Sequence, residues 1–573
     1  MTHFWNWKLK ESATPFNDEL TSKFSSIILQ LLFNRGIKNK ESIENFLNFD
    51  YEKNISNPFD FSQMEKALER IGSAIKKKEK IAIFGDYDAD GVTATVLLTE
   101  ALKDLGVGKI IPYIPDRQIE GYGMNAKALN FLQKEGVNLI ITVDCGITNI
   151  SEVAKAKELG MDVVITDHHH VPAVVPEAIA VLNPHMEGEE NKCKYLSGVG
   201  VAFKLAEALY QRLQPEKINQ TKWMLDLVAI GTIADCVPLL GENRLLVKYG
   251  LVVLSKTRRA GLLEMFSVGR ISVSEDDIPD THRVAFQISP RINAAGRMDH
   301  ANVAYKLLVE KNRPEGRIMA LELESKNQER QKITAEIVRE IKIIAENSFK
   351  DRKFIYAENA HWPVGLLGLV AGKIADEFKK PTMILQKQGN EFAGSLRSIP
   401  QVNVIETLEK CSKFLEKFGG HSQAAGVRVK NVNLENFCTK MSELIEKELE
   451  GKEMNLAREA DMEIKADDIG WELLLELKKM EPFGEGNSEP IFIIKDLIVE
   501  DVKIVGNGNK HLKMFLRAQS GSPKIFDAIF FGGGNDFGKI KKGDRIDIAG
   551  NLSQDEWNGN KKIQLKIIDL KII

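Results

Sequence analysis

Asp86, Asp88 and Asp90 stand at every second position of Gly85-Asp86-Tyr87-Asp88-Ala89-Asp90-Gly91, directly after the apolar run Ile81-Ala82-Ile83-Phe84. Three carboxylates this close repel one another. Either their pKa values rise or a cation sits among them, and a multivalent metal relieves the repulsion most directly. Two more apolar runs end in the same kind of chemistry: residues 139–143 close on Asp144-Cys145-Gly146, and residues 163–166 close on Asp167-His168-His169-His170. Gly231-Thr232-Ile233-Ala234-Asp235 offers Asp235 as a fourth acidic candidate. Carboxylates joined by imidazole, with no thiolate, suit manganese or magnesium better than structural zinc.

Groups of this kind must be delivered to one place. Apolar runs of four or five residues that end in acid or imidazole read as buried parallel strands, and open α/β sheets bind ligands at the carboxyl ends of their strands. Helical patterns over residues 64–78, 92–102, 150–159, 198–213 and 222–235 alternate with strands over 81–85, 137–143, 162–166 and 179–182, which predicts an α/β domain with a parallel sheet. Residues 313–349 have no glycine after Gly316 and no proline after Pro314, so they predict one helix of roughly 30 residues connecting two domains. Strands over 354–357, 382–386 and 392–396 with helices over 366–378 and 404–418 predict a second α/β domain. A charged helical stretch reaches Leu456. Five short β-like runs over 491–499, 512–517, 525–531, 545–549 and 563–572 then predict a small barrel of the oligonucleotide-binding (OB) type. Residues 1 to about 60 read as helical and peripheral. The expected division is therefore an N-terminal helical segment (1–60), a catalytic α/β domain (61–312), the connecting helix (313–349), a substrate-binding α/β domain (350–456) and the barrel (457–573).

With 573 residues the chain is too long for one core. Its net charge of −3 gives no global nucleic-acid signature, so binding to nucleic acid has to come from local basic surfaces. The five cysteines, Cys145, Cys193, Cys236, Cys411 and Cys438, form no CxxC pair, which argues against a disulfide framework. No signal-peptide pattern or long apolar run is present, so the expected location is the cytoplasm, with no membrane involvement.

The first motif has competing readings. Asp86, Asp88, Asp90 and Gly91 match the opening of an EF-hand loop, but the last ligand position holds Leu97 where a bidentate glutamate is required. Asp88-Ala89-Asp90-Gly91-Val92-Thr93 after a strand also looks like the aspartyl-nucleophile loop of haloacid-dehalogenase-type phosphatases. The company of Asp167-His168-His169 decides between them, and the residues resemble the DHH phosphoesterase family.

The resemblance extends through Val143-Asp144-Cys145-Gly146, Ser197-Gly198-Val199-Gly200, Gly231-Thr232-Ile233-Ala234-Asp235, Ser289-Pro290-Arg291-Ile292-Asn293-Ala294-Ala295-Gly296-Arg297, Gly419-Gly420-His421 and Glu481-Pro482-Phe483-Gly484, in the family's order. It covers roughly residues 60–573 and points to the branch of single-strand-specific 5′ to 3′ exonucleases acting in DNA repair and recombination. That branch implies a DHH domain, a DHH-associated (DHHA1) domain and an OB-type barrel, with two divalent ions, Mn2+ or Mg2+. The implied metal ligands are Asp88, Asp90, Asp144, His168 and Asp235, with Asp144 as bridge and Asp86 and His169 as catalytic groups that either ligate or orient. Related phosphatases carry a histidine where this chain has Phe84, which leaves the partition of ligands between the ions open. Single-stranded DNA is the implied partner, together with a RecQ-type helicase and a single-strand-binding protein.

The substrate would be held in the second domain. Gly419 and Gly420 permit close backbone approach to a phosphate beside His421, while Ser395 and Arg397 supply a hydroxyl and a guanidinium for an anchored 5′-phosphate. Arg291 and Arg297 are further phosphate-binding candidates. Residues 491–573 carry 14 Lys/Arg against 10 Asp/Glu, and Phe515, Phe526 and Phe530 are candidate stacking groups for a single-strand grip. Other readings are a nanoRNase or nucleotide phosphatase, a manganese-dependent pyrophosphatase, or a binding scaffold without catalysis. The terminal barrel argues against the nanoRNase or nucleotide phosphatase, a pyrophosphatase would be a much shorter chain that releases inorganic phosphate from pyrophosphate, and the complete set of acidic motifs argues against the scaffold.

Overall fold

The computed structural model describes residues 6–13, 16, 18–189, 193–452, 458–506, 508–519, 524–557 and 560–573. The chain forms two compact units, one of residues 56–237 and 241–454, the other of residues 1–55, 238–240 and 455–573.

The first unit is built on five parallel strands: β1 (Ile81–Gly85), β2 (Ile110–Tyr113), β3 (Leu139–Val143), β4 (Asp162–Thr166) and β5 (Ala180–Leu182), in the spatial order β2-β1-β3-β4-β5. Strands β1 and β3 are buried at every position, as expected where helices cover both faces of a parallel sheet. Register decides what happens at their ends. Gly85 is level with Val143, and Val143 with Thr166, so Asp86, Asp144 and Asp167 all leave the sheet from one row.

Helix α1 (Ala89–Asp104) starts immediately after β1, with Asp88 as its N-cap accepting from the backbone N–H groups of Asp90 and Gly91. Helices α2 (Gly198–Leu213) and α3 (Leu225–Ala234) pack against α1. The approach is close because of glycine: a Cβ at Gly231 would lie 2.5 Å from Thr93 Oγ1 and 2.6 Å from Asp90 Oδ1. Helix α4 (Ser289–Met298) follows a π-helical segment, Val284–Ile288, and sets Asn293 Oδ1 2.8 Å from the Ala89 N–H that donates to it.

Helix α5 runs over Arg313–Ser348, 36 residues, which at 1.5 Å per residue is about 54 Å. Beyond it lies a second, mixed sheet of β6 (Ile355–Glu358), β7 (Thr382–Gln388), β8 (Glu391–Arg397), β9 (Leu415–His421) and β10 (Ala424–Lys430), in the order β9-β10-β8-β7-β6, with helix α6 (Val364–Phe378) packed on β7 and β8. The helix expected over 404–418 stops at Glu409, and from Leu415 the chain is strand instead. Pairing with β10 overrides the local helical pattern. The boundary expected at 456/457, and the end of the charged stretch before it, lie outside the described residues.

In the second unit, β11 (Phe492–Val505), β12 (His511–Ala518), β13 (Ile525–Phe530), β14 (Arg545–Trp557) and β15 (Asn560–Ile572) close into a five-stranded barrel, because β14 pairs with both β15 and β11. The N-terminal helices are not peripheral to it. Leu29, Leu31, Leu32 and Ile43 are fully buried in one core with Phe492, Leu512 and Met514. Among the described residues no helix is long and apolar enough to cross a membrane.

Candidate active site

The strand ends and the C-terminus of α3 bring seven of the expected residues together. Ligand atoms of Asp86, Asp88 and Asp144 lie within 4.8 Å of one another, as do those of Asp90, His168 and Asp235 and those of Asp144, His168 and His169. Asp144 and His168 each belong to two of these groups. His168 Nε2 is 3.1 Å from Asp144 Oδ1, 3.4 Å from Asp235 Oδ2 and 3.9 Å from Asp90 Oδ2.

Backbone groups and backbone geometry position several of these side chains. Asp90 accepts from Gly198 N–H (2.7 Å) and Val199 N–H (3.0 Å) at the start of α2. Asp144 turns out of β3 at φ 60°, a left-handed conformation that costs a non-glycine residue about 1 kcal/mol or more and is concentrated at functional sites. Gly198 leaves room beside it, since a Cβ there would come within 2.4 Å of the Asp144 side chain. Asp235 caps the C-terminus of α3. Asp167, predicted only as part of the motif, is an orienting residue. It is fully buried, accepts from the Ile147, His168 and His169 N–H groups, and lies 2.8 Å from His169 Nδ1.

The electrostatics match a cation site. Burial, reinforced by neighbouring carboxylates, pushes Asp86, Asp144 and Asp235 well above the usual carboxylate range and raises Asp90 to about 7. Burial drives His168 down to about 3, so it is a neutral imidazole. Burial also opposes the charge on His169, but the hydrogen bond and negative charge of Asp167 outweigh it and hold His169 at about 9. Asp86 Oδ1, Asp144 Oδ1 and His168 Nε2 are buried and make no hydrogen bond. Buried polar atoms without partners are costly. Orphaned oxygens and an imidazole nitrogen converging without thiolate are the donor set that fits Mn2+ or Mg2+.

A second constellation faces the first. Burial and the charges of Arg117, Arg330 and Arg397 lower Arg297 to about 9, opposed by the negative charge of Asp88. Burial and Arg117 likewise lower Arg397. Arg397 Nη1 lies 3.0 Å from Ser395 Oγ, Arg297 Nη1 donates to Gly365 O at 3.2 Å, and the Arg117 guanidinium sits 4.8 Å from the centre of the Tyr87 ring. None of these four arginines has a carboxylate within 4.0 Å among the described residues; Arg330 Nη2 donates to Asn327 Oδ1 at 2.9 Å, and its Nε is buried without a partner. Cations gathered without counter-ions create a positive potential that attracts anions. Arg117 and Arg330 were not anticipated from the sequence.

Arg291, expected here, is committed elsewhere: its Nε lies 2.6 Å from Glu324 Oε2 and its Nη1 donates to Gln287 O at 2.5 Å. Gly419, Gly420 and His421 lie within strand β9. Cross-strand register puts Ser395, Gly426 and Gly419 in one row and Arg397, Ala424 and His421 two rows on, so these side chains share a face. In the barrel, Phe526 and Phe530 are core residues. Phe515 points outward, with Lys503 and Lys513 each 5.9 Å from its ring centre.

A five-stranded parallel sheet whose ends present DHH-type acid and imidazole groups, followed by a second α/β domain, defines a DHH phosphoesterase. The chain matches the DHH family N-terminal domain over residues 80–232, the DHHA1 domain over 351–447 and the RecJ OB domain over 460–569. It is 38% identical over 572 residues to the single-stranded-DNA-specific exonuclease RecJ of Bacillus subtilis (99% of this chain, 71% of the relative) and 31% identical over 549 residues to that of Haemophilus influenzae (93% and 94%). The crystal structure of Thermus thermophilus RecJ in complex with Mn2+ superposes with a TM-score of 0.82 at 27% identity, covering 99% of this chain and 79% of that one. A Mg2+ complex of the same protein gives 0.75 at 25% identity. The chain belongs to the RecJ family of single-stranded-DNA-specific exonucleases.

Proposed function

We propose that this chain is a metal-dependent exonuclease that degrades single-stranded DNA from the 5′ end, releasing 5′-mononucleotides in DNA repair and recombination. The observation that carries the reading is the arginine cluster, without carboxylate partners among the described residues, set beside the carboxylate–imidazole cluster, close enough for Asp88 to act on Arg297. A terminal phosphate at Arg117, Arg297, Arg330, Arg397 and Ser395 would put the first phosphodiester against the acidic groups, which is how 5′ polarity would arise. Arginine suits that role through its planar fork of donors.

Asp90, His168 and Asp235 would hold one divalent ion and Asp86 and Asp88 the other, with Asp144 shared. Bound there, the two ions supply Lewis acidity that activates water and neutralises charge developing on the phosphodiester oxygens. The protein's own contribution is positioning. His169 keeps a proton on Nδ1 toward Asp167, which leaves Nε2–H of the cationic ring to donate to a phosphate oxygen. Burial keeps His168 a neutral ligand, its Nε2 set 3.1 Å from Asp144 and 3.4 Å from Asp235. Phe515 with Lys503 and Lys513 offers a separate stacking and charge contact for the strand. The expected protein partners are a RecQ-type helicase and a single-strand-binding protein, in the cytoplasm.

The test is nucleotide release from matched 5′-labelled and 3′-labelled single strands, with a duplex control, in Mn2+, Mg2+ and chelator, for wild type and Asp144→Ala. Early release of the 5′ label alone, dependent on metal and abolished in the variant, is expected. Early release of the 3′ label, or release in chelator, would overturn the reading.

A further inference from the structure

Two of the helices that carry acidic groups of the active site also meet at their other ends. Asp90 stands in the first turn of α1 and Glu100 in its later part, while α3 has Asp226 in its first turn and Asp235 at its C-terminus. Each pair is separated by about 14 Å along its helix. Arg259 ties the far ends together, its Nε 3.0 Å from Asp226 Oδ2 and its Nη1 2.8 Å from Glu100 Oε1. Beside this clamp a cavity of about 320 Å³ opens between Trp223, the start of the helix Ala260–Gly269 and the end of the helix Asn302–Val309. That volume falls within the range of small-molecule sites.

The lining is of two kinds. Ala260, Leu308, Val309 and the Trp223 ring supply carbon, and the Trp223 side chain is left 45% exposed. Arg258 and Lys311 supply positive charge, with the Arg258 guanidinium 4.5 Å from the centre of the Trp223 ring. The acids of the lining are committed elsewhere. Glu100 and Asp226 hold Arg259, and Glu310 accepts from the backbone N–H groups of Lys311 and Asn312. Arg258 and Lys311 have no carboxylate within 4.0 Å among the described residues. Stacking on the indole holds the guanidinium in place with its donors still available. An aromatic and aliphatic wall next to two cations without counter-ions matches a flat ring that carries a phosphate, whose charge at pH 7 is about −1.5 to −2.

We propose that this cavity is a binding site for a nucleoside 5′-monophosphate, separate from the active centre, with the base packed on Trp223, Leu308 and Val309 and the phosphate held by Arg258 and Lys311. The ligand belongs to the class that the exonuclease would release, so the site makes the enzyme a sensor of its own product. That role rests on the exonuclease reading above; the binding does not.

The experiment titrates dAMP by calorimetry into the full-length Mn2+-loaded enzyme, its active centre filled with a 5′-phosphorylated strand of non-hydrolysable linkages. One equivalent of dAMP per chain is expected to bind. Arg258→Glu and Trp223→Ala should each weaken it by roughly tenfold or more, the scale for a lost hydrogen bond to a charged group and for a lost stacked base. Deoxyadenosine and inorganic phosphate, each lacking half of the contacts, should bind at least roughly tenfold more weakly than dAMP. Both variants change exposed side chains outside the acidic and arginine clusters, so their hydrolysis of an unmodified strand should match wild type, which shows that they fold. Wild type that binds dAMP but leaves that strand intact would sink the exonuclease reading and leave the site standing. No dAMP binding with the active centre filled, an affinity unchanged in either variant, or deoxyadenosine or inorganic phosphate binding as tightly as dAMP would overturn the site.

Discussion

Removing the metals should make the catalytic unit less stable as pH rises, and loading them should reverse the trend. Burial and mutual repulsion raise Asp86, Asp144 and Asp235 well above the ordinary range and Asp90 to about 7. In the unfolded chain these groups return to about 4. Without metal the folded protein therefore holds protons that the unfolded protein has released, and stability present below pH 4 is lost as pH climbs through the folded values. Asp90 alone spans about three pK units, on the order of 4 kcal/mol, of which roughly 3 kcal/mol accrues between pH 5 and pH 7.5. Bound metal requires the deprotonated ligands, so its stabilisation grows over the same window. The unit of residues 56–237 and 241–454 has about 400 residues, so 3 kcal/mol corresponds to about 3 to 4 °C in Tm. Scanning calorimetry from pH 5 to pH 7.5, in chelator and in saturating Mn2+, should show the gap between loaded and chelated protein widening by at least that much. A gap that stays constant or narrows with pH would refute the assignment of these carboxylates as a shared cation site.

Asp167→Asn removes the anion that keeps His169 at about 9, so the basic limb of the kcat–pH profile should move to lower pH by more than one unit. Gly231→Ala drives a Cβ into Thr93 and Asp90; overpacking of this kind costs about 1 to 3 kcal/mol, and displacement of Asp235 should weaken Mn2+ affinity in titration calorimetry. Arg397→Ala should raise KM for a 5′-phosphorylated strand by roughly 10- to 100-fold, the range for a lost hydrogen bond to a charged group, and leave little difference between 5′-phosphate and 5′-hydroxyl ends.

The acidic half of the site was legible because its information is local. Each ligand follows an apolar run closely, and parallel strands in a row deliver their ends to one edge whatever the rest of the chain does. The position of Asp235 was readable for the same reason, at the end of a helix stopped before Pro238. The arginine half was legible only in part: Arg297 and Arg397 stand in motifs that offered them as phosphate-binding candidates, whereas Arg117 lies in a loop and Arg330 on helix α5, where nothing in their neighbours marks them as convergent. One clue did exist: Arg291 and Arg297 are six residues apart on a helix, about 120° around its axis, so one face could not present both, and Glu324 takes Arg291. The barrel held a similar clue in strand parity. Leu512, Met514 and Leu516 point inward, so Phe515 must point out, whereas Phe526, Ala528 and Phe530 share the inward face. What local pattern cannot supply is the partner's charge. The carboxylates announce their cation by being too close together within a single motif, but the arginines become improbable company only once the fold has gathered them, and it is that gathering without a counter-ion that argues for a phosphate.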